Sequence, residues 1–171
     1  MTTYNGFTNY ETWAVNLHID NEQGSQEFWA ERTREVLIDS DYDKDKAVSV
    51  LADELESEHE ENMPEVSGIF SDLLNAALRS VDWHEIASNM LHDITVYAAG
   101  WNMPGYMPDS EPAMFLDCED ARAYISDELD RVSEEEDSET EVYERAANSV
   151  LKGSGEYGET IGNYHYFVSA V

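Results

Sequence analysis

The chain has 171 residues, which suits one compact domain or two small ones packed together. Its hydrophobic fraction of 42% and aromatic fraction of 11% are those of a folded protein rather than of a disordered acidic tail. The formal net charge of −29 argues against direct binding to nucleic acid or to an anionic membrane, because both would be repelled, and it favours a basic partner.

The first hundred residues are predicted to form a bundle of five helices, because apolar residues recur there at helical spacing behind capping signals. The predicted starts are Thr8 with Glu11 as a capping box, Asn21, Asp43, Pro64 in a first turn, and Asp82. The fifth helix is expected to end near Gly100. The sequence therefore predicts an N-terminal helical domain over residues 1–100.

The stretch 101–112 is predicted to be a linker or surface loop, since Gly100–Pro112 contains two Gly and three Pro. Beyond it, a short strand at Ala113–Leu116, helices at about 118–136 and 139–152, and a closing strand at Tyr164–Val171 predict a small β-α-α-β module over residues 113–171. The predicted fold class is α+β, mostly α.

Both halves of the chain are acidic: residues 1–100 hold 21 acids and 5 bases, and residues 101–171 hold 17 acids and 4 bases. On the helix after Cys118, the apolar residues form one stripe, and four acids fall in a narrow arc opposite: Asp120, Asp127, Asp130 and Glu134. The helix near 43–60 repeats this pattern with Asp53, Glu56 and Glu60. Two helices are thus predicted to carry matching acidic rows.

Carboxylates in such a row lie roughly 4.5 to 6 Å apart along the helix axis, which corresponds to one charge for every one or two phosphates of a DNA strand, about 3.4 Å apart. The acidic run that follows, Glu135, Glu136 and Asp137, extends the second row. Like charges this close weaken a helix, and a protein selected for solubility alone would interleave lysines, of which this chain has three. The alternatives are a solvated face and adaptation to high salt.

Three motifs that resemble catalytic or ligand sites have the wrong context. Gly153, Gly155 and Gly158 match G-x-G-x-x-G but follow a helix and precede a strand, so a helix-to-strand loop is predicted. The EF-hand-like start at Asp39 lacks the required glycine and final glutamate, and His84-Glu85 lacks the second zinc-ligand histidine. We therefore expect no enzyme activity, no metal site and no cofactor.

The single cysteine, Cys118, has no intramolecular disulfide partner, and no apolar run reaches the roughly 20 residues that cross a bilayer. The segment 1–6 has neither the basic nor the apolar region of a signal peptide. These features predict a cytoplasmic protein that does not contact a membrane.

The opening segment, which contains Asn9-Tyr10-Glu11-Thr12-Trp13, is rich in aromatic and amide side chains. It is interpreted as an aromatic anchor for the N-terminus or as a partner-binding epitope. Continuing through Asn21-Glu22 and Gly24, it resembles the start of a group of small uncharacterised proteins of bacteriophages and other mobile elements. In size and charge the chain is similar to acidic anti-restriction and anti-CRISPR proteins, some of which mimic DNA.

These resemblances imply a reason for the charge, since a polyanion can occupy the basic groove of a restriction enzyme or CRISPR effector in the host cytoplasm. The sequence hypothesis is therefore a non-catalytic inhibitor that binds a basic nucleic-acid-binding host protein or complex through the acidic rows. The alternative is an accessory mobile-element protein whose acidity reflects solubility or salt adaptation.

Overall fold

The computed structural model describes residues 3–106, 110–135 and 140–171, which fall into two compact units, Met1–Ile94 and Thr95–Val171. The described part of the N-terminal unit contains helices α1 Tyr10–Asn21, α2 Gln23–Asp39, α3 Lys44–Glu61, α4 Ile69–Arg79 and α5 Trp83–His92. The described part of the C-terminal unit contains β1 Tyr97–Asn102, β2 Ala113–Phe115, α6 Cys118–Glu135, α7 Thr140–Lys152, β3 Tyr157–Ile161 and β4 Tyr164–Ala170. The predicted fold class, α+β and mostly α, is confirmed.

Helices α2 and α5 contact each other, and both α1 and α3 pack on these two helices. The core side chains Leu37, Leu51, Leu55 and Ile86 are completely buried. Burial of one such leucine or isoleucine contributes about 1.5 to 3 kcal/mol. Apolar periodicity in α2, α3 and α5 therefore corresponds to one shared core, as the sequence predicts for a helical domain.

The start of α1 differs by one residue from the predicted capping box at Thr8. Asn9 is the N-cap, and its side-chain oxygen accepts a hydrogen bond from the Thr12 amide at 2.8 Å. The Thr8 amide instead donates to the Glu85 carboxylate at 3.0 Å. Thr12 is completely buried, and its hydroxyl oxygen accepts a hydrogen bond from the Asp82 amide at 2.9 Å. The amide-rich segment thus joins the start of α1 to the start of α5.

The aromatic side chains beside this segment pack on one another. Tyr4 and Phe7 form a β-bridge around a two-residue turn in which Asn5 and Gly6 both have positive φ angles, as a type I′ turn requires. The Tyr4 ring lies 4.9 Å from that of Trp13, measured between centroids. The turn therefore anchors the first described residues on α1, in agreement with the anchor interpretation.

Two other predicted helix starts are wrong. Asn21 ends α1 instead of capping α2, and the extended backbone at Glu22 separates the two helices. Helix α4 begins well after Pro64, behind Gly68, whose φ of +66° redirects the chain. The predicted caps at Asp43 and Asp82 are confirmed, since each side chain accepts hydrogen bonds from amides of the first turn.

The C-terminal unit contains a four-stranded antiparallel sheet with the order β2-β1-β4-β3. Strand β1 corrects two predictions, because residues 97–100 were expected to end a helix and 101–102 to belong to the linker. Instead Ala99 pairs with Ala113 on one side and Val168 on the other. The C-terminal unit therefore begins at Thr95, before the predicted boundary, and it is not a β-α-α-β module but has two further strands.

Small residues make β1 fit its central position. Ala98, Ala99 and Gly100 are buried, and a Cβ atom on Gly100 would lie 3.4 Å from the Phe167 ring. Gly158 was predicted to lie in a helix-to-strand loop, but it belongs to β3, which pairs with β4 through a turn in which Gly162 has a φ of +58°. Both strands are recognisable only through their pairing with β4.

Helices α6 and α7 pack together, α6 against strands β1, β2 and β4 and α7 against β3. Their apolar stripes and the inward residues of the sheet form one core: Ala99, Ala121, Ile125, Leu129, Tyr143, Ala146, Ala147, Val150, Ile161, Tyr166 and Val168. None of the helices in the described part of the chain is long and apolar enough to cross a membrane.

The buried phenol of Tyr166 should make the C-terminal unit sensitive to alkali. Burial raises the pKa of Tyr166 to about 12, above its ordinary value of about 10. Because the folded-state pKa is the higher one, this stabilisation is complete below pH 10 and is lost as the pH rises through 12. At pH 11 the loss should be about 1 kcal/mol of unfolding free energy.

Urea unfolding of the wild type and of Tyr166→Phe, followed at pH 8 and pH 11, measures this effect. The phenylalanine side chain at position 166 has no phenol to ionise, so the variant should lose less stability between the two pH values than the wild type. Equal losses in both proteins would contradict the prediction.

Candidate functional site: acidic faces on two helices

Helix α3 separates its apolar and acidic residues on opposite faces. Leu51 and Leu55 are completely buried, whereas Asp53, Glu56 and Glu60 are exposed. The fixed apolar face determines the direction of the acidic one, because rotation of the helix would expose the leucines. The N-terminal unit therefore presents these three carboxylates to solvent.

Helix α6 has the same arrangement in the C-terminal unit. Ala121, Ile125 and Leu129 are completely buried in the core. The four acids predicted to lie opposite are all exposed: Asp120, Asp127, Asp130 and Glu134. The structure thus places all seven predicted acids of the two helices on solvent-facing surfaces, and their role in binding stays a prediction.

The predicted surface continues beyond the α6 row with three further acids. Glu135 is the last residue of α6, and Glu136 and Asp137 lie outside the described residues. The acidic rows of the described residues are therefore Asp53, Glu56 and Glu60 on α3 and Asp120, Asp127, Asp130 and Glu134 on α6.

Ion pairs between described residues leave the acidic rows uncompensated. Arg32 binds Glu54 and Glu35 at 2.7 and 2.8 Å, and Lys46 binds Asp43 at 3.3 Å. The hydrogen bond from Arg32 lowers the pKa of Glu54. In the C-terminal unit, Arg131 binds Glu128 at 2.6 Å. None of these pairs involves a carboxylate of either row, so no ion pair within the described part of the chain neutralises the row charges.

A depression of about 320 Å³ lies beside the α3 row, between α2 and α3. It is lined by Phe28, Trp29, Arg32, Asp53, Glu54, Ser57, Glu58 and Glu61. Phe28 is 54% exposed there, although it is a large apolar residue. An aromatic surface bordered by carboxylates is suited to an arginine side chain, which stacks on rings and binds carboxylates through its planar fork. Sequence reasoning missed this depression, because it depends on how α2 and α3 pack.

The aspartate-rich turn between α2 and α3 has structural roles. Asp43 accepts hydrogen bonds from the amides of Asp45 and Lys46, and these lower its pKa. Asp41 and Tyr42 adopt left-handed conformations, with φ of 55° and 60°. In the described part of the chain, no three His, Cys, Asp or Glu side chains are grouped as metal ligands would be. The turn therefore serves as a helix cap.

The glycine-rich loop after α7 encloses an arginine of α6. Arg122 is 5% exposed, and its guanidinium donates hydrogen bonds to the carbonyl oxygens of Val150 at 2.7 Å and Gly155 at 2.5 Å. A Cβ atom on Gly153 would collide with the guanidinium of this arginine, so a side chain there would push the guanidinium away from its hydrogen-bond acceptors. The loop therefore binds a side chain of its own unit rather than a dinucleotide phosphate.

The model of DUF7249, a family of unknown function, matches residues 1–98 of this chain. The match covers the helical N-terminal unit and ends inside β1, so it includes the α3 row and not the α6 row. No curated protein and no solved structure matches the chain. Because the matched region spans more than half of the sequence, the chain belongs to the DUF7249 family.

Proposed function

We propose that this chain is an acidic inhibitory binding protein of a phage or mobile element, acting in the host cytoplasm. Its target would be a nucleic-acid-binding defence complex, a CRISPR effector or a restriction enzyme, whose basic groove it occupies in place of DNA. The observation that carries the proposal is the exposure of uncompensated carboxylates on α3 and α6, each opposite a buried apolar stripe.

The charge of each unit supports this function. The N-terminal unit holds 21 acids and 5 bases, and the C-terminal unit holds 17 acids and 4 bases. Each unit is therefore a polyanion by itself. When a basic groove binds DNA, the counterions of the phosphates are released into solution, and this release favours binding. A protein polyanion in the same groove would give a comparable electrostatic gain in binding free energy. Its binding should weaken steeply as salt is added.

Rigid presentation distinguishes a phosphate mimic from a flexible acidic tail. The α3 and α6 rows lie on helices whose apolar sides are held in cores, so the backbone that carries their carboxylates does not need to be ordered on binding. The depression beside Phe28 adds a place for an arginine of the target groove. The proposal thus combines charge along the rows with one shaped contact.

Competition with DNA tests the function directly. A purified type I restriction enzyme and a guide-loaded CRISPR effector would each be mixed with labelled target DNA and increasing amounts of this protein. Displacement of DNA is expected at low salt, with inhibition relieved by excess DNA and weakened as salt rises from about 50 to 200 mM. Polyglutamate at the same carboxylate concentration is the matched control, because it has the charge without the fold.

Two results would contradict the proposal: no displacement from either enzyme, or displacement no stronger than that by polyglutamate. Thermal unfolding in dilute buffer and in concentrated salt tests the accessory-protein alternative. A protein adapted to high salt should be unfolded in dilute buffer, whereas the inhibitor should be folded there.

A further inference from the structure

Helix α4 carries large apolar side chains that its own unit leaves in solvent. Ile69, Phe70 and Leu73 are 68%, 70% and 61% exposed, and no residue of the helix is fully buried. Side chains of this size are normally covered when they form a contiguous patch, and such patches mark interaction sites. The α4 face, defined by Ile69, Phe70, Leu73 and Ala76, is therefore a candidate interface.

The α4 face is also nearly free of charge in a strongly acidic unit. The helix contains one acid, Asp72, and one base, Arg79, so its formal charge is zero. The centres of protein interfaces are depleted in charged residues in the same way. A basic partner would find no excess of carboxylates here, which separates this face from the acidic rows.

The spacing along α4 favours a second copy of the same chain as the occupant. Ile69, Leu73 and Ala76 follow one another at intervals of four and three residues, which is the spacing of a helix-pairing seam. Asp72 and Arg79 lie seven residues apart, so they are on the same flank of that seam. In an antiparallel pair, equivalent flanks of the two helices face each other.

We propose that α4 is a homodimer interface in which two copies pair antiparallel. Each Asp72 then faces Arg79 of the second copy, so one two-fold axis creates two complementary charge pairs. Leu73 packs near the axis against the small Ala76 of the other copy, and Phe70 covers the seam from the opposite flank. This inference is independent of the proposed inhibitory function.

Salt should affect this dimer in the opposite direction from binding to a basic target. Each copy carries a formal charge of −29, so two copies repel each other at long range. Added salt screens that repulsion more than it weakens the two exposed charge pairs, which contribute at most about 1 kcal/mol each, and the apolar contact across the seam does not depend on salt. The dimer should therefore become tighter as salt increases.

Analytical ultracentrifugation of the full chain at several concentrations and salt levels measures the association. The wild type should be dimeric at high salt, and Leu73→Glu should weaken dimerisation at least roughly tenfold by placing an acid in the seam. Leu73 is largely exposed in the monomer, so circular dichroism should show an unchanged fold. A wild type that stays monomeric at every salt concentration would overturn the proposal.

Charge reversal identifies the antiparallel arrangement. Asp72→Arg leaves two bases on the flank and Arg79→Asp leaves two acids, so each variant alone should dimerise more weakly than the wild type. Mixed together, the two variants should form heterodimers, since every facing pair is then again complementary. Equal association in the mixture and in the separate variants would rule out this pairing.

Discussion

Neutralising the α3 row by replacing Asp53 with asparagine and Glu56 and Glu60 with glutamine should weaken inhibition of the target enzyme roughly 10- to 100-fold at low salt. An exposed charge pair contributes up to about 1 kcal/mol, so three lost pairs amount to at most about 3 kcal/mol. The inhibitory concentration in the DNA-displacement assay measures this change. The salt dependence should become shallower at the same time, because fewer charges are matched.

A control variant separates the geometry of the row from the net charge. Replacing Glu22, Glu31 and Glu65 with glutamine removes three exposed acids and changes the net charge equally. Inhibition by this variant should stay within a few-fold of the wild type. If both triple variants lose the same affinity, net charge rather than the α3 row is responsible, and the assignment of these carboxylates is wrong.

The α6 row permits the same comparison in the other unit. Asp127, Asp130 and Glu134 would be neutralised in one variant, and the exposed acids Glu119, Glu141 and Glu144 in its control. Loss of inhibition in the first variant alone would show that the C-terminal unit contacts the target. A target that responds only to the α3 row would restrict the interface to the part of the chain that the family model covers.

Replacing Arg122 with methionine should lower the free energy of unfolding of the C-terminal unit by about 3 kcal/mol, because a buried carbonyl left without its donor costs about 1 to 3 kcal/mol. The buried guanidinium donates to the carbonyl oxygens of Val150, Gly155 and Glu156, and its carbon lies 5.8 Å from the centre of the Tyr157 ring. Methionine fills part of the volume but supplies no donor. The three carbonyl groups at the end of α7 and in the following loop would lose a partner.

Urea unfolding followed by hydrogen exchange of the α7 amides gives the stability of this unit separately. The control is Arg145→Met, because Arg145 is exposed on α7 and its loss should change stability by less than about 0.5 kcal/mol. An effect of Arg122→Met as small as that of the control would show that the guanidinium does not hold the glycine-rich loop in place.

The sequence predicted which parts of the chain are helical better than where each helix begins and ends, because helical signals are local. The aspartates at 43 and 82 each accept hydrogen bonds from amides of the next turn, and these contacts need no other part of the chain. The predicted cap at Thr8 was wrong, because a residue of another helix binds there. The Thr8 amide binds the carboxylate of Glu85, which is distant in sequence.

The candidate site was predictable in part for the same reason. Helical periodicity places Asp53 and Asp127 opposite apolar stripes, and in the structure both are exposed. The depression between α2 and α3 was not predictable, because it depends on how two helices pack. Phe28 follows the apolar pattern of a core residue, and only the packing of α2 leaves it more than half exposed.

The sequence by itself determined the charge of the protein, its helices and the division of acidic from apolar residues on each helical face. These properties depend on composition and on contacts within one or two turns. The tertiary structure alone decided that residues 97–102 form a central strand, that β3 pairs with β4, and that Arg122 lies inside the glycine-rich loop. The reason is physical: a strand has no hydrogen bonds of its own, so its existence depends on partners that lie far away along the chain.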